Sequence, residues 1–286
     1  MTGGAGSGAG RSMPTVFEVP RRSVLPVTAE HPDGVPPVPE RVAEPRDAAT
    51  VALVRDGAGG GIEVFLQHRV RGMAFAGGMT VFPGGGVDPR DADASVGWVG
   101  PPPDEWARRF TCSEPQARAL VCAAVRETFE ESGVLLAGTD TATVSDTSAY
   151  ADARRALEAR EISLAGFLAG EGLAVRADLL RPWGHWVTPE QESRRYDTRF
   201  FVAALPDGQH ADGATTEAET AGWQRPAEAI ADAEAGRTAL LPPTWCTLAD
   251  LGEFGSVAEA LASSREIRRI TPRLVVDGDT VRVELA

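Results

Sequence analysis

Twenty residues, Ser113 to Ser132, carry start and stop signals that fix one long helix before the rest of the chain is read. Ser113 can N-cap, Pro115 sits in the first turn, and Gln116 completes a capping-box pattern. Gly133 supplies the left-handed residue that ends the helix. Leu120, Val121, Ala124, Val125 and Phe129 recur at helical spacing and predict a buried inner surface. Glu127, Glu130 and Glu131 are three and four residues apart, so three carboxylates crowd one stripe. Like charges at that spacing repel unless something positive neutralises them. The stripe is either a solvated acidic face or a set of hard oxygen ligands, which suit Mg²⁺ or Mn²⁺.

A second stretch lies upstream, Phe82-Pro83-Gly84-Gly85-Gly86-Val87-Asp88-Pro89-Arg90-Asp91. It reads as a short strand, Met79 to Phe82, running into a tight glycine turn. Glycines there allow unusual φ angles and close approach of backbone to a ligand. Together with Arg126-Glu127-Thr128-Phe129-Glu130-Glu131-Ser132-Gly133-Val134, this stretch resembles the box of the nudix hydrolases. That box is a glycine, five residues, an acid, seven residues, then R-E-U-x-E-E-x-G-U, where U is aliphatic. Gly85 matches the glycine, Asp91 takes the place of the first glutamate, and Arg126, Glu127, Glu130, Glu131, Gly133 and Val134 match the rest. The chain departs from the pattern twice. Thr128 stands at an aliphatic position, and thirty-four residues separate Asp91 from Arg126.

The resemblance implies a nudix-type α/β/α sandwich, and the order of strands and helices independently implies a mixed β-sheet between helical layers. It implies that Glu127 and Glu131 ligate Mg²⁺ or Mn²⁺, with Glu130 an additional ligand and one carboxylate acting as base. Gly84, Gly85 and Gly86 would bring backbone groups to the metal and substrate. Arg126 would orient the glutamates by charge-assisted hydrogen bonds, its alternative being an ordinary surface pair with Glu130. Family members often supply one more acid from a loop before a Trp-containing strand. Glu219, four residues before Trp223, is the best match and Glu217 the second; both could equally be loop solvation.

Further segments resemble the coenzyme A and acyl-coenzyme A diphosphatase branch. They are Phe65-Leu66-Gln67-His68-Arg69, Gly72 to Gly78, Trp186-Val187-Thr188-Pro189-Glu190, Arg194-Arg195-Tyr196-Asp197-Thr198-Arg199-Phe200-Phe201 and Leu241-Pro242-Pro243-Thr244-Trp245. This implies cleavage of the CoA diphosphate to 3′,5′-ADP and 4′-phosphopantetheine. Arg69, Arg194 and Arg195 are the candidate phosphate contacts, with structural pairing on an acidic surface as their alternative. The sequence contains no lysine, so arginine must meet any phosphate. Box residues are shared with hydrolases of ADP-ribose, NADH and related nucleotides, which stay open as substrates. A non-catalytic nudix-like nucleotide sensor is the reading from another class.

The rest of the chain bounds the context. Net charge is −13, which disfavours a broad nucleic-acid surface. Three cysteines without C-x-x-C spacing and four scattered histidines predict neither a zinc site nor a disulfide framework. No apolar run has membrane-spanning length, the start lacks a signal pattern, and Glu284-Leu285-Ala286 is no peroxisomal address. A cytoplasmic protein acting on a small nucleotide is expected, and a homodimer is compatible with it. Residues 1–45 are rich in Gly, Ser, Pro and Ala and read as a disordered arm; the glycines from Gly3 to Gly10 are no phosphate loop. Residues 46–286 read as the nudix domain, with an insertion at about 92–112 expected to be a loop with one helical turn. Val134 to Ala137 is a β-like run, and Asp277-Gly278 between two apolar runs signals a C-terminal hairpin.

Overall fold

The computed structural model describes residues 16–20, 38–70, 76–215, 218–277 and 280–285. Strands β1 (Val16–Pro20), β2 (Arg46–Asp56), β3 (Ile62–Arg69), β4 (Thr80–Val81), β5 (Gly84–Gly86) and β6 (Trp98–Val99) precede helices α1 (Pro103–Phe110) and α2 (Glu114–Ser132). Next come β7 (Ala137–Gly138), α3 (Ala151–Glu158), α4 (Leu164–Gly170) and β8 (Ala174–Arg176). The strands β9 (Leu180–Val187), β10 (Tyr196–Ala204) and β11 (Ala218–Gln224) lead to helices α5 (Pro226–Glu234), α6 (Pro242–Leu251) and α7 (Val257–Ala262). β12 (Arg269–Ile270), β13 (Pro272–Asp277) and β14 (Thr280–Leu285) close the order.

The main sheet runs β11-β3-β2-β10-β9-β12. β10 lies parallel to β2 and antiparallel to β9, while β12 is parallel to β9, so the sheet is mixed. The apolar run in β10 is buried because both faces of the sheet are covered. On one face Ala49, Val51, Leu53, Phe65 and Phe201 join Trp106, Val121, Phe129 and Leu168 from the helices α1, α2 and α4. On the other, Ala52, Val54, Val64, Leu66 and Val202 pack with Ala229, Leu248 and Ala260 from α5, α6 and α7. The result is the expected sandwich of a mixed sheet between helical layers.

One irregularity of this sheet positions the site. β2 pairs with β3 only over Val54–Asp56, and β5 takes over as its partner at Ala48–Thr50. The glycine segment therefore lies in the sheet, directly beneath α2. Gly84 to Gly86 form a strand and not the expected tight turn, and none of the three has a positive φ. Their use is closeness. A Cβ on Gly84 would lie 2.6 Å from the Ala49 carbonyl oxygen, and one on Gly85 would lie 2.6 Å from the Glu127 carboxylate.

Three further expectations are corrected. The insertion is built and not loop-like: Pro102 caps α1, Pro103 opens it, and Trp106 and Phe110 at i, i+4 enter the core against Phe201. Its β6 joins β8 and β7 in a small second sheet. Val134 to Leu136 are fully buried but lie outside any strand, and only Ala137–Gly138 pairs. Within the expected disordered arm, Val16–Pro20 forms β1 and pairs antiparallel with β14. Five residues too few to fold alone gain a strand by joining the β13–β14 hairpin. The remaining arm up to residue 37, including Gly3 to Gly10, and the turn residue Gly278 lie outside the described residues.

Candidate active site

The helix that carries the carboxylates, α2, starts and stops where its sequence directs. The Ser113 hydroxyl accepts from Gln116 N–H, and Gly133 ends the helix at φ 73°. Half of the capping box is missing, because the Gln116 amide instead donates to the Asp47 carboxylate in β2. From Ala117 to Ser132 only Arg118 and Glu127 escape full burial. A solvated acidic face is therefore ruled out for Glu130 and Glu131. Thr128 fits its aliphatic position by donating its hydroxyl to the Ala124 carbonyl, so that hydroxyl is not left unpaired in the core.

Arg126 gathers the acids. Its Nε and Nη2 donate to the two Asp91 oxygens at 3.0 and 2.9 Å, and Nη2 also donates to the Gly86 carbonyl. Nη1 donates to Glu127 at 2.7 Å and reaches both Glu130 oxygens at 3.4 Å. This is far more than a surface i, i+4 pair. Asp91 is fixed in turn by a 3-10 turn at Pro89–Ala92, where Asp88 and Asp91 form a reciprocal cap. The Arg90 guanidinium beside Asp88 holds that carboxyl down at about 2. Asp91 and Arg126, thirty-five residues apart in sequence, are thus direct partners, and Gly85 lies against Glu127.

Glu131 faces the same segment, its Oε2 accepting from Gly84 N–H at 2.9 Å. Burial, then the charge of Glu127, pushes the Glu130 carboxyl up to about 7 despite the neighbouring Arg126. The carbonyls at the end of α2, which no helix can satisfy internally, each meet a donor from elsewhere. Glu130 O accepts from Arg154 Nε, Glu131 O from the Gln67 amide, Ser132 O from Asp212 N–H and Gly133 O from the Thr147 hydroxyl. Gln67 could have been suspected as a polar residue ending an apolar strand run. Arg154 and Asp212 carry no signal in the sequence.

The donor set fits a hard divalent cation. It consists of carboxylate oxygens, and a glycine lets the backbone approach them where any Cβ would collide. Among the described residues no three acids stand close enough to hold an ion as they are, since Arg126 Nη1 bridges Glu127 and Glu130. The thiols are no rivals for chemistry: burial pushes Cys122 up to about 12 and raises Cys112 as well.

The remaining candidates divide. Arg69 ends β3 on the same face as Gln67, whose amide reaches the end of α2. Arg194 is exposed in the loop before β10. Arg195 is corrected: it is buried and donates to the Thr188 and Ala43 carbonyls, so its guanidinium is a backbone clamp and not a phosphate contact. Glu219 is exposed at a bulge in β11 and makes no contact with the other acids among the described residues. Glu217 lies outside the described residues.

Residues 104–251 match the family model of the NUDT19 Nudix domain. Similar curated proteins include the acyl-coenzyme A diphosphatase NUDT19 of Gallus gallus, 29% identical over 235 residues, covering 68% of this chain and 62% of that protein. The protein of the same name from Xenopus laevis is 24% identical over 235 residues, covering 69% and 61%. The chain thus spans about three-fifths of the length of these relatives. Among solved structures, the crystal structure of a NUDIX hydrolase from Alicyclobacillus acidocaldarius superposes with a TM-score of 0.69 at 28% identity, covering 79% of this chain and 99% of that one.

Proposed function

The chain belongs to the nudix family through its NUDT19 Nudix domain, and from that premise we propose that it hydrolyses the diphosphate of coenzyme A or an acyl-CoA. The products would be 3′,5′-ADP and 4′-phosphopantetheine or its acyl form. The observation that carries the hydrolytic reading is the convergence of Gly84, Gly85, Asp91, Glu127, Glu130 and Glu131 around Arg126. The substrate reading is supported by likeness to proteins named acyl-coenzyme A diphosphatase. Free thiols at Cys112, Cys122 and Cys246 fit a reducing compartment, the cytoplasm in this reading. Among the described residues no helix is long and apolar enough to cross a membrane.

Glu127, Glu130 and Glu131 would hold Mg²⁺ or Mn²⁺, which when bound supplies charge neutralisation at the phosphoryl oxygens. Arg126 fixes Glu127 and orients Glu130 while anchoring both to the Asp91 turn. One of these carboxylates would take the proton of the attacking water, and Glu130, which Arg126 orients beside Glu127, is the first choice. Gly85 keeps the floor beneath Glu127 free of side chain. Arg69, on the Gln67 face of β3, is the first choice for a phosphate oxygen remote from the carboxylates, and Arg194 the second.

The test is a turnover panel of CoA, acyl-CoA, dephospho-CoA, ADP-ribose and NADH with Mg²⁺ and Mn²⁺. CoA or acyl-CoA should show the highest kcat/KM, about ten- to a hundredfold above dephospho-CoA, the value of one charge-assisted phosphate contact. Glu131→Gln should lower kcat at least about a hundredfold. Full turnover in EDTA overturns the metal assignment. Preference for ADP-ribose or NADH overturns the substrate and leaves the hydrolase.

A further inference from the structure

The last turn of α2 combines two features that electrostatics sets against each other. The carbonyl end of a helix carries roughly half a negative charge, yet Glu130 and Glu131 sit in that turn, and it contains no basic residue. Arg126 meets the Glu130 carboxylate only at 3.4 Å and none of the last-turn carbonyls, its shorter bonds going to Asp91, Glu127 and the Gly86 carbonyl on the upstream side. A different cation serves those carbonyls. Arg154, on α3, donates Nε to the Glu130 carbonyl at 2.9 Å and Nη1 to both oxygens of Asp212 at 2.8 and 3.0 Å.

Of the four long-range donors that close the end of α2, Arg154 is the only charged one. Its side chain is 11% exposed, whereas that of Asp212 is 53% exposed, so the cation is the buried half of the pair. Its Nη2 is buried without a hydrogen-bond partner, an arrangement that stability alone disfavours. Gly133 is shaped around it as well: a Cβ there would lie 2.8 Å from Arg154 Nη1 and 3.1 Å from Asp212 Oδ2. The Asp212 loop is tied down independently, by its own N–H on the Ser132 carbonyl and by Gln209, whose amide brackets Leu135 N–H and C=O.

We propose that Arg154 is a positioning residue for the carboxylate cluster: held by Asp212, it docks on the Glu130 carbonyl and supplies the positive charge that the acidic last turn lacks. It touches neither substrate nor reacting atoms. It sets the backbone from which Glu130 and Glu131 project and offsets the helix-end potential that opposes their charge. For the kinetic arm this rests on the hydrolase reading above.

The test compares Arg154→Met, Arg154→Lys and Asp212→Asn in the full chain. The readouts are thermal midpoint, kcat and KM, and Mn²⁺ affinity by electron paramagnetic resonance without substrate. Methionine keeps the buried stem and removes the charge. The expected result is a folded Arg154→Met with kcat down about tenfold, the upper range for a charge at a helix end, and KM within about twofold. Mn²⁺ binding should weaken several-fold, and Arg154→Lys should recover a large part of both losses. A folded Arg154→Met with wild-type kcat and wild-type Mn²⁺ affinity overturns the proposal, as does a loss no larger than its unfolded fraction. If Arg154→Met does not fold, Asp212→Asn decides. Its half-exposed side chain can be changed safely, and a smaller loss in the same direction supports the role while unchanged values overturn it. A wild-type protein that hydrolyses nothing in the panel fails the hydrolase reading, and the Mn²⁺ arm still tests Arg154.

Discussion

Glu130 shows what a single buried acid does to the whole molecule. Its carboxyl is raised from 4.5 to about 7, first by burial and then by Glu127. The folded state therefore holds that proton more tightly than the unfolded state does. The stability from this group is complete below about pH 4.5 and is lost as pH rises through about 7. In EDTA the melting temperature should fall between about pH 5 and 7.5. Glu130→Gln should flatten that slope and melt higher at the alkaline end; a wild-type slope no steeper than the variant's would contradict the assignment. The carboxylate stripe itself is legible in the sequence, because its spacing is a helical repeat. Its partners are less so. That arginine must meet phosphate follows from the absence of lysine, but nothing in the order of residues reveals that the Thr188 and Ala43 carbonyls already hold Arg195.

Elements are legible where local signals agree and obscure where a distant partner competes. α2 has the predicted boundaries because Ser113 and Gly133 act within one turn of themselves. The capping box fails at Gln116 because the Asp47 carboxylate, sixty-nine residues away, is a better acceptor for its amide. The insertion reads as loop because Gly97, Gly100 and the three prolines dominate it. Yet Pro102 and Pro103 are helix-opening residues, and Trp106 and Phe110 repeat at helical spacing. Trp106 lies 2% exposed, stacks on Phe110 and meets Phe201 in the central strand. Trp106→Ala should therefore destabilise by about 3–5 kcal/mol, measured by urea denaturation, as removal of a buried aromatic does. A loss below about 1 kcal/mol would return the insertion to the status of a surface loop.

At the scale of the molecule, two sheets meet the chain's ends and middle differently. β1 belongs to the β13–β14 sheet and not to the one beneath the site. Deleting residues 1–20 should lower the melting temperature by a few degrees and leave kcat unchanged, since the hairpin and the main sheet remain paired. Loss of turnover in that truncation would show that β1 reaches the site. The main sheet holds a consequence for how the protein comes to exist. The neighbour of Arg46 across the parallel β2–β10 ladder is Tyr196, more than half the chain away. During synthesis α2, buried on nearly every side in the finished fold, leaves the ribosome well before β10 can complete the surface it packs on. Folding should be slow and prone to aggregation when warm, with the carboxylates already in order along their helix and nothing yet to hold them against the glycines.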